Sequence, residues 1–176
     1  MRKFIWLPAV VLLIAGASCG DNKRAKNFNQ QTKVDDDALQ FFTIANEANI
    51  AEIKTATIAE NNSKNPRVVN YAKMLIKDHT DNRNEMKKIM LDKYVTVGDT
   101  VSVEHKMMAD SISKLTGLAF DKSYMNMMVK DHQQAIELYK AQRQNTLKTL
   151  VNFADKSLPK LQAHLDSAKA IVASLK

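Results

Sequence analysis

Apolar and small residues recur every three or four positions through most of the chain after residue 35, the period of an amphipathic helix rather than of a strand. Phe42, Ala45, Ala48, Glu52, Ala56 and Ala59 share one face over 36–62, a stripe of small residues interrupted by one carboxylate. Asp35, Asp36 and Asp37 put negative charge at its start, where a helix N-terminus favours it. The run from Asn61 to Asn65 breaks it. Pro66 opens a second helix with Asn65 as its cap. Val68, Ala72, Leu75, His79, Asn82, Met86 and Ile89 form its stripe, and it ends near Tyr94. Residues 95–101 read as extended. A short helix over 102–116 opens at Ser102 and stops at Gly117. A third long helix spans 119–145, with Asp121, Met125, Met128, His132, Ala135 and Tyr139 on one face. Residues 146–156 are helical in pattern, and the pattern leaves open whether they continue that helix. The last helix is expected over 158–175, capped by Ser157, with Pro159 in its first turn. Leu161, His164, Leu165, Ala168, Ile171 and Leu175 line one side of it.

Four long amphipathic helices and a short one predict an all-α fold, a ferritin-like four-helix bundle whose long crossover carries the short extra helix. The crossover matters because the sequence repeats across it. Tyr71 to His79 reads YAKMLIKDH and Tyr124 to His132 reads YMNMMVKDH, with Tyr, Met, Lys, Asp and His in register. A short link would make the second and third long helices antiparallel. A link over 95–118 permits them to run parallel, with His79 and His132 facing each other at one depth.

Residues 1–18 have a different pattern. Arg2 and Lys3 precede an apolar stretch from Phe4 to Ala15, followed by the small residues Gly16, Ala17 and Ser18. This is the layout of an export signal, and the apolar run is shorter than the roughly 20 residues a membrane span needs. The single cysteine, Cys19, follows directly. The stretch resembles a bacterial lipoprotein signal, which implies lipidation at Cys19 and a membrane anchor there. Residues 19–34 are polar and aperiodic and read as a flexible tether, which leaves 35–176 as the helical bundle domain.

Composition narrows the function. One cysteine excludes a disulfide framework and any multi-cysteine zinc or iron–sulfur site. The net charge of +7 includes Arg2 and Lys3 of the leader. An exported domain without an aromatic-interleaved basic stripe does not call for nucleic acid. There is no nucleophile elbow, phosphate loop or dinucleotide turn, so no catalytic residue is assigned and no enzyme reaction is indicated.

The histidines carry what chemistry there is. His79, His132 and His164 fall on the apolar stripes of three helices and Glu52 on that of a fourth, whereas His105 reads as solvent-facing. Bundles build metal sites from interior imidazoles and carboxylates. Glu52, His79 and His132 form a candidate site for a single transition-metal ion (copper, zinc or iron), with His164 as a further ligand. No Glu is followed by His three residues later, so a dinuclear carboxylate centre is not expected. The competing reading is a buried polar network in which Asp78, Asp131 or a hydroxyl such as that of Tyr124 holds the imidazoles. Met125, Met127 and Met128 before His132, with Met74, Met86 and Met90, would suit copper as soft donors or simply fill the core.

Read together, Glu52, Asp78-His79-Thr80, Gly117, Phe120-Asp121, Tyr124, Asp131-His132, Leu158-Pro159 and His164-Leu165 resemble, in order and over residues 38–174, an exported bacterial helical family of unknown function. That family is described as ferritin-like and is sometimes labelled an outer membrane protein. Residues 120–139 are also similar to a related exported family with a Met–His-rich helix linked to copper handling, which carries His-His where this chain has Asp131-His132. The resemblance implies an envelope-localised bundle and no established activity. The expectation is therefore a lipid-anchored protein on the periplasmic side of the bacterial outer membrane, a non-enzymatic binding or stress-tolerance module, or alternatively a metal-binding protein.

Overall fold

Asp35 starts the first helix. In the computed structural model, which describes residues 32–176, its side chain accepts the Ala38 N–H at 2.8 Å, and α1 runs Asp36–Asn62. Asn65 caps α2, Pro66–Asp92, by accepting the Arg67 N–H. Ser102 caps α3, Val103–Ser113. Helix α4 covers Gly117–Ala141, a 3-10 turn covers Gln142–Gln144, and α5 covers Lys148–Ser174. These five α-helices and the 3-10 turn make the described residues all-helical, without a strand. The leader over 1–18, Cys19 and most of the tether lie outside the described residues.

Two expected boundaries move. Gly117 does not end the short helix, which stops at Ser113; it opens α4 instead, at φ +56°, a backbone conformation that favours glycine. The last helix starts ten residues earlier than its Pro suggests. Residues 146–156 belong mainly to α5, and Ser157 and Pro159 sit inside it rather than at its start. Pro159 removes one backbone donor, yet buried Phe153, Ala154 and Leu158 before it and Leu161 and Leu165 after it hold both segments on the same core. Ser157 serves as a fastening: its hydroxyl donates to the Phe153 carbonyl at 2.8 Å and accepts from the Asn82 amide at 2.9 Å. Since Pro159 is exposed, Pro159→Ala loses no packing and restores the missing bond. It is expected to stabilise the fold by about 1–3 kcal/mol, read as a higher denaturant midpoint at unchanged m-value.

The end of α2 shows a second left-handed residue. Tyr94 has φ +56°, with the Val95 N–H reaching back to the Met90 carbonyl at 2.9 Å and the Tyr94 N–H to Leu91 at 3.2 Å. This is a Schellman turn with tyrosine where glycine is usual. Lys33 Nζ lies 4.6 Å over the Tyr94 ring.

Two apolar clusters divide the core by depth. One joins the start of α1 (Phe41, Phe42), the end of α2 (Met86, Met90), the end of α4 (Ile136, Tyr139) and the start of α5 (Leu150, Phe153). The other joins the end of α1 (Ala56, Ala59), the start of α2 (Val68, Leu75), the start of α4 (Phe120, Met125) and the end of α5 (Ala168, Ile171). Helices α2 and α4 therefore run parallel to each other and antiparallel to α1 and α5. The link carrying α3 crosses from one end to the other, with Val95 in the first cluster and Ile112 in the second. The two copies of the repeat consequently lie at one depth. The positions left between the clusters, at mid-height, are those of Glu52, His79, His132 and His164.

Candidate metal centre

Each of these four side chains reaches the middle of the bundle from a different long helix, and all four residues are at most 5% exposed. The rings of His79 and His132 have centroids 5.6 Å apart, those of His79 and His164 5.5 Å, and those of His132 and His164 5.2 Å. One nitrogen from each ring lies within 4.8 Å of the other two. Glu52 Oε2 lies 3.0 Å from His79 Nε2 and 3.6 Å from His132 Nε2. His132 Nε2 lies 3.2 Å from His164 Nδ1.

The outward hydrogen bonds fix where the protons are. His132 Nδ1 faces the Met128 carbonyl at 2.9 Å, and His164 Nε2 faces Asp78 Oδ2 at 3.0 Å. His79 Nδ1 faces Asn49 Oδ1 at 2.9 Å. The orientation of that amide is set by its own donor, which gives to the Ala45 carbonyl at 2.8 Å and to Asn82 Oδ1 at 3.1 Å. All three partners are oxygens that only accept, so in each ring the outer nitrogen carries the proton. With each ring neutral, the inner nitrogens, His79 Nε2, His132 Nε2 and His164 Nδ1, carry the lone pairs; they face one another, and those of His79 and His132 also face the Glu52 carboxylate. Glu52 Oε2 and His79 Nε2 lie 3.0 Å apart, an ion pair when His79 is protonated, but they are not aligned as a hydrogen bond, and neither atom has another hydrogen-bond partner.

Electrostatics keep the set ready to donate electron pairs. Burial opposes ionisation of Glu52, but the positive charge that the imidazoles, His79 foremost, carry when protonated outweighs it and holds the carboxyl down to about 2. Burial pushes His132 below its ordinary value. Burial also pushes His164 down to about 4, against the pull of its bond to Asp78. The His164 shift has a consequence for the metal-free protein. An unfolded chain protonates this ring near its ordinary value of 6.5 and the folded one only near 4. Its contribution to stability is thus complete above pH 6.5 and is lost as pH falls through 4. Chemical denaturation of the metal-free chain is expected to show a loss of about 2–3 kcal/mol across that window, smaller in His164→Asn.

Several expected roles fall differently. Asp78 does hold an imidazole, and Lys160 and His164 together outweigh burial to keep it ionised. Asp131, its partner in the repeat, holds none of the imidazoles. Burial, helped by the charge of Glu52, lifts its carboxyl to about 7. The Tyr124 hydroxyl is buried and makes no hydrogen bond, so it does not fasten a ring. His105 is not simply solvent-facing: it is half-buried, with Nδ1 2.7 Å from Glu47 Oε1. Met86 and Met90 pack in one apolar cluster and Met125, Met127 and Met128 in the other, which is core filling. Asn49 was absent from the expected site. The only signal for it was its place three residues before Glu52, one turn along the same helical face.

The profile of the family described as a domain of unknown function (DUF4142) matches residues 23–171, and the chain belongs to that family. Among curated proteins, none matches the chain. Among solved structures it is similar to the crystal structure of a DUF305 fragment from Deinococcus radiodurans, with a TM-score of 0.72 at 14% identity, covering 81% of this chain and 99% of that one. That likeness concerns the fold alone.

Proposed function

We propose that this domain binds one transition-metal ion through His79 Nε2, His132 Nε2, His164 Nδ1 and Glu52 Oε2. In this reading it is a lipid-anchored module, held at Cys19 on the periplasmic side of the bacterial outer membrane, with the helices in a ferritin-like four-helix arrangement. The observation that carries the metal reading is the convergence of three buried imidazole nitrogens within 4.8 Å of one another, with the Glu52 carboxylate beside two of them. A structural network would give those atoms donors, because an unsatisfied buried polar atom costs about 1–3 kcal/mol. Here Glu52 Oε2 and His79 Nε2 have none. A cation satisfies all four at once and neutralises the buried charge.

The spacing fits. A tetrahedral ion with bonds of about 2.0–2.2 Å separates neighbouring donors by about 3.3–3.6 Å; three of the donor pairs lie 3.0, 3.2 and 3.6 Å apart, and the three ring nitrogens lie within 4.8 Å of one another. Imidazole nitrogen with one carboxylate suits zinc, copper(II) or iron. Asp78, the Met128 carbonyl and Asn49 are the outer partners that orient such ligands.

Titration of the untagged full chain with zinc is expected to give one ion per chain. Asp78→Ala, which frees the His164 ring without removing a ligand, is expected to weaken binding about 10–100-fold. Absence of stoichiometric binding by zinc, copper and iron alike overturns the proposal.

A further inference from the structure

A cavity of about 160 Å³ lies between α1 and α4 and ends on two of the four candidate ligands, Glu52 and His79. It exists because the helices meet there through small side chains. Ala45, Ala48 and Ala135 line it, with Leu138 and Leu161 as bulkier walls. Its volume is comparable to that of an apolar protein cavity of about 150 Å³ that admits benzene. His132 and His164 do not line it, so it reaches one side of the cluster only.

Charge decides what the cavity can hold. Acidic side chains, Glu47, Glu52 and Asp131, line it with no Lys or Arg. Of its two histidines, His79 is a candidate ligand and His105 is engaged by Glu47. The ion's own charge attracts an anion, but Glu52 offsets part of it, Glu47 adds a second acidic group, and an anion must also be desolvated against apolar walls. A cation has the imidazole cluster itself as the better site. We infer that this cavity admits a small uncharged Lewis base, which binds the metal ion from the Glu52–His79 side as an exogenous ligand. This rests on the metal reading above. The exogenous ligand is a fifth donor beside the four from the protein, so the centre expands from four- to five-coordinate rather than staying a closed structural site.

The test uses the full chain loaded with cobalt(II), whose visible bands report metal uptake and coordination number separately. At about pH 8, imidazole is the uncharged probe and azide the anionic one. Imidazole is expected to shift the bands saturably, with azide at least about tenfold weaker. Ala48→Leu and Ala135→Leu add side-chain volume at half-buried positions, so each fills the cavity without displacing the core. Each is expected to keep the cobalt spectrum and to weaken imidazole at least about tenfold, because the added side chain occupies the space the probe needs. A cobalt-loaded protein that ignores imidazole, or variants that bind it as tightly as the parent, overturn this inference and leave the metal site standing. Failure to take up cobalt at all overturns both.

Discussion

His132→Ala is expected to weaken zinc binding by more than about 100-fold while leaving the helical content unchanged. His132 is fully buried and supplies the central donor, 3.2 Å from His164 Nδ1 and 3.6 Å from Glu52 Oε2. Losing an outer partner of a ligand already costs about 10–100-fold, so losing the ligand costs more. The metal-free variant behaves differently. It gains a cavity, yet it also loses a lone pair that faced another lone pair, so its stability falls by less than the roughly 2–5 kcal/mol of a comparable buried truncation. Isothermal titration and denaturant melts on the same samples separate the two effects. A variant that keeps its zinc affinity but unfolds readily would make His132 a core residue.

Saturating zinc is expected to produce the largest stability change available to this protein. The donors come from four different helices, α1, α2, α4 and α5, so the unfolded chain cannot assemble them and the ion binds the folded state alone. At a free concentration 1,000 times Kd this contributes about 4 kcal/mol. For a domain of this length that corresponds to a rise in Tm of about 8–16 °C. The rise should vanish on chelation and be absent from His132→Ala. Scanning calorimetry with and without chelator reads it directly. A shift of equal size in the variant would place the stabilising ion elsewhere.

Much of this arrangement was legible in the sequence because burial and period coincide. The stripe through Val68, Leu75, His79 and Met86 is the buried face of α2, and the repeated Lys-Asp-His anticipated two parallel helices with histidines at one level. His164 was harder to place, since its depth depends on where α5 begins. Pro159 suggested a start near 158, while Phe153, Ala154 and Leu158 bury enough apolar surface to carry the helix through the proline from Lys148. Tertiary packing overrode a strong local signal. The two Asp-His pairs look equivalent in sequence and are not equivalent in space. Asp78 faces His164 across the α2–α5 contact, whereas Asp131 bonds to none of the three clustered imidazoles and feels the charge of Glu52. Nothing in the spacing distinguishes them, because the difference lies in which neighbour each helix has. Asn49 escaped notice for a related reason: an amide acts here only through the ring it orients.

The central claim is that three imidazoles and one carboxylate share one ion. X-ray absorption at the metal edge of the zinc-loaded full chain tests it most directly. The account predicts a first shell of four N/O donors at about 2.0–2.1 Å with the outer-shell scattering of three imidazole rings, falling to two in His132→Ala. A shell of six oxygens without ring scattering, or three rings persisting in the variant, would contradict it.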